Sequence, residues 1–184
     1  MKNIFITISI FAFLATSCST QKAVNTKNEK SLITINNVVT DPDINREILL
    51  GYVNEEGLKN YTVFTNADVY YKRYNVNTDL VEIINNNSND ISIKVVFGSW
   101  CGDSKRNVPA FEKIVDSSNF DKSKIEFIAV NRRKEGGSVD VSSLDIKRVP
   151  TLIFYRNNKE IGRIIENPTN ETIEQDWVDI VTKE

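Results

Sequence analysis

From residue 88 onward the apolar positions alternate between two periods. Ile91–Phe97 is a short, nearly continuous apolar run, as a strand covered on both faces requires. Val108, Phe111, Ile114 and Val115 then recur at helical spacing and predict a helix over Asp103–Val115. Pro109 lies inside that helix and is expected to kink it. Ile125–Val130 repeats the buried-strand pattern, Thr151–Tyr155 gives a third strand and Ile161–Ile165 a fourth. Asn157-Asn158 between the last two makes a hairpin turn, because Asn tolerates positive φ. Ile173, Trp177, Ile180 and Val181 line one side of a closing helix over Thr172–Val181. Arg132–Asp140, with Gly136-Gly137 and mixed charges, reads as a solvated loop. The order is strand, helix, strand, loop or helix, hairpin, helix: an α/β fold with a mixed central sheet flanked by helices.

Upstream the pattern is weaker. Leu32–Val39 is apolar at intervals, and Asp41-Pro42-Asp43 marks a turn. Ile48–Val53 fits one strand, and Glu55-Glu56-Gly57 a turn or a helix start. Tyr61–Tyr74 is rich in aromatics; Val69, Tyr70 and Tyr74 fit a helix face used in a core or an interface, with a ligand surface as the alternative. Thr78 is placed to cap a helix through Leu80, Val81, Ile83 and Ile84. The run Asn85-Asn86-Asn87 reads as the loop before the next strand.

The first residues carry a different pattern. Met1-Lys2 is a short basic start, Ile4–Leu14 is apolar but too short for a stable bilayer anchor, and Ala15-Thr16-Ser17 are small. Residues 1–17 therefore read as a secretory signal peptide. The segment resembles a lipoprotein signal, which implies cleavage before Cys18 and its lipidation; ordinary cleavage nearby, with Cys18 removed or unmodified, is the alternative. Ser19 after Cys18 favours the outer membrane, by resemblance to sorting rules. Residues 18–30 are polar and aperiodic, as a flexible tether would be. The implied location is the bacterial cell envelope, lipid-anchored and facing the periplasm. Residues 31–184 then form one domain, with its core over 88–182.

Composition narrows the chemistry. The formal net charge is −2 with signs mixed, and no basic stripe or basic-aromatic interleaving points to nucleic acid. Histidine is absent, which removes His-based triads, Cys-His pairs and most zinc sites. No metal or other cofactor is expected. There are 2 cysteines, and with Cys18 acylated no internal disulfide can form, leaving Cys101 as a free thiol in an oxidising compartment.

Cys101 sits in Phe97-Gly98-Ser99-Trp100-Cys101-Gly102-Asp103-Ser104, where a strand hands over to a helix. A thiol at a helix start is favoured as thiolate by unpaired N–H groups and the helix dipole. Trp100-Cys101-Gly102 before a helix, Pro109 inside it, and Val149-Pro150-Thr151 before the third strand resemble the thioredoxin-like family, as do the trailing hairpin and final helix. The resemblance spans roughly 88–182. It implies a cis Pro150 beside Cys101, and a backbone at Val149, Pro150 and Thr151 open to an extended peptide or thiol substrate. Three departures matter. Ser104 stands where the resolving cysteine would be, so the one-enzyme dithiol cycle is closed to this chain. Val95 stands where the family has a buried acid, and Glu166 where it commonly has a glycine.

Two functions from different classes follow. The first is thiol–disulfide exchange by a monothiol mechanism. Cys101 is the nucleophile, Ser104 can donate a hydrogen bond to it or merely cap the helix, and Trp100 shields one side. Lys105 and Arg106 add positive charge that Asp103 opposes. The partner would be a protein or a low-molecular-weight thiol or disulfide, with an outside thiol for release. The second is a non-catalytic protein-binding module on the same fold, with Cys101 inert. A peroxide-reducing thiol fits poorly, because Ser99-Trp100 occupies the place of the Pro/Thr-rich framework such sites use.

Overall fold

The computed structural model describes residues 34–60 and 62–183. The expected signal peptide, the tether, Cys18 and its lipidation, and Tyr61 lie outside them.

The chain opens with a hairpin of β1 (Val38–Asp41) and β2 (Arg46–Leu49), paired antiparallel as a separate two-stranded sheet. Its turn starts where Asp41-Pro42-Asp43 predicts one, and Asp41 Oδ1 accepts the Asp43 N–H at 2.8 Å. The single strand expected over Ile48–Val53 is divided. Leu49 ends β2, and Gly51 begins β3 (Gly51–Val53) in a second sheet. Gly51 sits at φ +90, a conformation that lacks a Cβ penalty only for glycine, and the chain changes sheet there.

The main sheet has five strands in the order β3–β5–β4–β6–β7, with β4 Ile91–Phe97, β5 Ile125–Ala129, β6 Thr151–Arg156 and β7 Lys159–Ile165. β4 and β5 run parallel and the other pairs antiparallel, so the sheet is mixed. Asn157 and Asn158 turn β6 into β7 at φ 52 and 62. The burial of β4 explains its sequence. Ser92 and Lys94 alternate with buried isoleucines in the first half, where one face is covered. Val95, Val96 and Phe97 are all buried in the second half, where both faces are covered.

One face of the sheet packs with helices. α2 (Ala67–Arg73), α3 (Thr78–Asn87), α4 (Gly102–Asp116) and α5 (Ile173–Thr182) all contribute to its core, after a single turn of helix, α1 (Glu55–Leu58). Trp177 on α5 is central. It stacks on Phe111 at 5.5 Å, meets Phe154 at 5.4 Å and donates Nε1–H to Ser88. The N-cap of α3 is Asn77 rather than Thr78; its side chain accepts the N–H groups of Asp79 and Leu80. Tyr74 packs at the edge of this core and donates its hydroxyl to buried Glu174 at 2.5 Å, tying α2 to α5. α4 runs through Pro109 as one helix of 15 residues.

The other face carries a smaller core of Val96, Ile128, Val130, Val141 and Val149, with Trp100 and Cys101 packed against it. The segment between β5 and β6 supplies this cover, and its only helical turn is a 3-10 turn at Ser142–Leu144. The candidate site therefore lies where α4 leaves the sheet, over the less regular face.

Candidate functional site

Cys101 is the one cysteine among the described residues, and it is a free thiol. It occupies the N-cap of α4 in extended conformation, φ −88 and ψ 130. Its N–H donates to Gly98 O at 2.9 Å, and its carbonyl accepts the first helical bond from Lys105 N–H at 3.0 Å. The side chain is half-buried. Its Sγ donates to the Val149 carbonyl at 3.2 Å. The Val149–Pro150 peptide is cis, as the family resemblance implies. Sequence positions far apart thus meet at one sulfur.

The turn around the thiol is held by side chains on each side. Ser99 is buried, and its Oγ accepts the Leu49 N–H at 3.0 Å, which fixes β2 to the turn. Gly98 allows the Trp100 ring to close over the backbone: a Cβ there would meet indole atoms at 2.6–2.9 Å. Trp100 donates Nε1–H to Val130 O at 2.8 Å. Arg132 lies 5.1 Å from the Trp100 ring centre and Lys134 5.7 Å. The Arg132–Asp140 loop is therefore more than solvated surface. Arg133 also makes a two-bond ion pair with Asp43 at 2.9 Å, and Arg132 N–H reaches buried Asp41 at 3.3 Å. The N-terminal hairpin, the loop and the Trp100 ring form one wall beside Cys101.

Ser104 is fully buried, and its oxygen turns to the strand end, accepting the Gly98 N–H at 3.2 Å. It acts here as neither helix cap nor donor to the sulfur. Thr151 is buried and donates its hydroxyl to Arg148 O at 2.7 Å, bracing the proline turn. The charges near the helix start cancel in part. Arg106 pairs with Asp103 at 2.5 Å and reaches Asn167 Oδ1 at 2.7 Å. Lys105 donates to Thr65 Oγ1 at 2.7 Å, and burial pushes its pKa below the usual lysine value, with the Arg46 charge adding to that. The nearby Cys101 acts in the opposite direction.

Asn107 and Glu166 complete the site; the sequence marks Glu166 as a departure from the family, whereas Asn107 is given no role there. Asn107, nearly buried on α4, donates to Glu166 O at 2.5 Å and Asn167 Oδ1 at 3.0 Å. Its place between Ser104 and Phe111 on the buried face is a signal that was legible. Glu166 adopts φ 59, the left-handed conformation that favours the family's glycine. Its N–H donates to Pro150 O at 2.7 Å, and its carboxylate pairs with Arg148 at 2.6 Å. Its charge is thereby matched locally, and Glu166 acts on the proline turn rather than on the approach to the thiol. Val95 is buried in the helical-side core, with no acid in its place. No group of three or more His, Cys, Asp or Glu side chains among the described residues is placed to hold a metal, and none of their helices is long and apolar enough to cross a membrane.

A mixed sheet of this order, with a cysteine capping the helix after β4 and facing a cis-proline turn before β6, defines a thioredoxin-fold thiol protein. The chain belongs to the thioredoxin family: the family model described as Thioredoxin matches residues 51–177, well over half of its length. With its single described cysteine it is a monothiol member, consistent with a one-cysteine redox mechanism. No curated protein matches the chain. Among solved structures, it is similar to a protein of unknown function from Pseudomonas aeruginosa at 13% identity and TM-score 0.48, covering 65% of this chain and 82% of that one. It is also similar to thioredoxin from Malassezia sympodialis at 22% identity and TM-score 0.36, covering 51% and 76%. For thioredoxin from Fasciola hepatica the identity is 24% and the TM-score 0.33, covering 50% and 84%.

Proposed function

We propose that the chain performs thiol–disulfide exchange through Cys101 alone, on protein or low-molecular-weight disulfides of the cell envelope. The observation that carries this reading is the half-buried Cys101 thiol at the helix start, 3.2 Å from the carbonyl before the cis proline. In the first step Cys101, as thiolate, attacks one sulfur of a disulfide. A Cys101–sulfur bond forms, the old sulfur–sulfur bond breaks, and the departing thiolate takes up a proton. In the second step an outside thiol attacks the mixed disulfide and leaves with the captured group, restoring Cys101. No net oxidant is needed. With Ser104 buried against Gly98, the protein has no second thiol there to shorten the intermediate, which suits capture and handover better than bulk reduction.

Trapping tests this. Incubated with an oxidised peptide, the chain should form a mixed disulfide that Cys101→Ser does not form and that added glutathione dissolves. Intermolecular disulfides persisting in Cys101→Ser would remove the role. Ser104→Cys should shorten the intermediate and bring insulin-reducing turnover.

Export and anchoring belong to the same proposal. A lipid on Cys18 would place the thiol in the periplasm, tethered by residues 18–30. Metabolic labelling with a radioactive fatty acid should mark the chain, and Cys18→Ala should abolish the label; a label that persisted would sink the anchor. The second reading, a binding module without turnover, draws support from Val95 in place of an acid and from the Sγ bond to Val149. It requires the same partners to be recovered by wild type and Cys101→Ser under reducing conditions.

A further inference from the structure

A cavity of about 550 Å³ opens on a different part of the molecule, between α1, α2, the second half of α4 and β5. It is of the size that holds small organic ligands. Val53, Leu58, Pro109, Val115, Ile125 and Phe127 give it an apolar floor. No residue of the Cys101 turn lines it.

The rim is charged, and its pairing is almost complete. Lys59 pairs with Glu55, and Lys122 pairs with Asp116. Lys72 pairs with Asp68 at 3.4 Å, and Tyr71 donates its hydroxyl to Asp116 at 2.7 Å. Glu112 is left over. Among the described residues it has no ion-pair or hydrogen-bond partner, although its carboxyl faces the same cavity. Each lining lysine already has its acid, so the one unpaired acidic group of the site is the Glu112 carboxyl above an apolar floor.

We propose that this cavity binds a small ligand with an apolar body and a protonated amine, the ammonium pairing with Glu112 and the body lying against Pro109, Val115 and Phe127. The complementarity has two parts. The floor takes the body because it removes apolar surface from water. The acid takes the amine because a desolvated carboxylate without a partner is costly and a cation at hydrogen-bond distance removes the cost. An anionic ligand would meet the opposite situation, since the three lysines are already committed.

The state of Glu112 gives the binding a signature. Burial raises its pKa first, then the Asp116 and Glu55 charges, to about 8; Lys59 and Lys122 act weakly against them. Asp68 and Lys72 from α2 face the cavity as a matched pair, and Tyr71, held up at about 12, stays neutral. At pH 7 the free protein therefore keeps a proton on Glu112. An ammonium binding beside it expels that proton to the buffer, so one amine bound releases close to one proton.

Isothermal titration of the full chain with hexylamine at pH 7, in two buffers of different ionisation enthalpy, tests this, with hexanol and hexanoate as controls. Hexylamine should bind about ten-fold tighter than hexanol, with release of close to one proton. Glu112→Gln should bring hexylamine to the level of hexanol, abolish proton release and leave hexanol unchanged. Glu112→Asp should keep the preference for the amine, and Cys101→Ser should change nothing. Equal binding of hexylamine and hexanol, tighter binding of hexanoate, no binding of hexylamine, or undiminished amine binding by Glu112→Gln would each overturn the proposal.

Discussion

The two ends of α4 handle their polar side chains in opposite ways. At the N-terminal end Cys101, Ser104 and Asn107 each engage a backbone group of another segment: Val149 O, Gly98 N–H and Glu166 O. Those three bonds fix the thiol turn, the strand end and the proline turn to one helix before any substrate arrives. Further along, Glu112 projects into a cavity and engages nothing among the described residues, while one turn on Asp116 takes both Tyr71 and Lys122. The contrast separates positioning from binding capacity. Where side chains are spent on the backbone, geometry is fixed and chemistry must come from the sulfur. Where a half-buried acid is unpaired, its hydrogen-bonding and ion-pairing capacity is left for a ligand.

The widest break in the comparison comes from the residue between the two ends. Phe111 is fully buried, stacked on Trp177 at 5.5 Å and edge-on to Phe127 at 6.3 Å. Phe111→Ala should cost about 3–5 kcal/mol in urea unfolding. It should also raise the alkylation rate of Cys101, because the helix would lose its seat on the sheet. A loss below about 1 kcal/mol would mean that the two ends are anchored independently.

Glu112→Gln sharpens the other side through pH. The ordinary value is 4.5 and the folded value about 8. Between them the folded chain holds a proton that the unfolded chain has released, so this group makes stability fall as pH rises through that window. Below the window both states are protonated and the difference is absent; above it the penalty is complete. The variant should therefore match wild type near pH 4 and exceed it above pH 8, by on the order of 2–4 kcal/mol after allowance for water in the cavity. Parallel stability curves from pH 4 to 9 would show that Glu112 is not held in its protonated form.

The same division runs through what the sequence made legible. The strands and helices over 88–182 were readable because the strands are continuous apolar runs and the helices carry one apolar stripe, so local pattern and final burial agree, whereas the core also takes in Leu49, Phe64 and Ile84 from upstream. Cys101, Val149 and Pro150 could be brought together from sequence only through the family resemblance carried by their motifs. The N-terminal half was not readable in the same way. Ile48–Val53 looks like one strand, and only the left-handed backbone at Gly51 sends its two ends to different sheets. Glu112 sits on the polar side of an amphipathic helix, and its burial depends on α1 and α2, which no pattern in α4 can reveal. Ser104 was ambiguous for a related reason: the partner of its hydroxyl is a backbone N–H in the preceding strand-to-helix turn, set by tertiary packing.

Ser104→Ala probes the N-terminal end directly. It removes the acceptor from the buried Gly98 N–H without altering the sulfur, and should cost about 1–3 kcal/mol. The mixed disulfide at Cys101 should still form. Loss of capture in a variant that stays folded would return Ser104 to a role on the thiol itself.

The smallest effect tests whether Glu166 is there for its charge or merely tolerated. Its φ of 59 costs a non-glycine residue about 1–2 kcal/mol. Its ion pair with Arg148 is largely exposed on the Arg148 side and returns about 0–1 kcal/mol. Glu166→Gly removes both terms and keeps the bonds to Pro150 O and from the Asn107 side chain, which use only the main-chain atoms of residue 166. The variant should gain about 1 kcal/mol or less, a rise in Tm of about 2–4 °C at most for a chain of this size. A fall in Tm instead would mean that the Arg148 pair braces the proline turn more strongly than an exposed pair should. Glu166→Asn then separates the causes, since Asn accepts the left-handed backbone but cannot form the ion pair: if it too is destabilised, the pair is responsible. In that case the mixed disulfide of either variant should also form more slowly, because the Val149 carbonyl facing Cys101 would have lost its support.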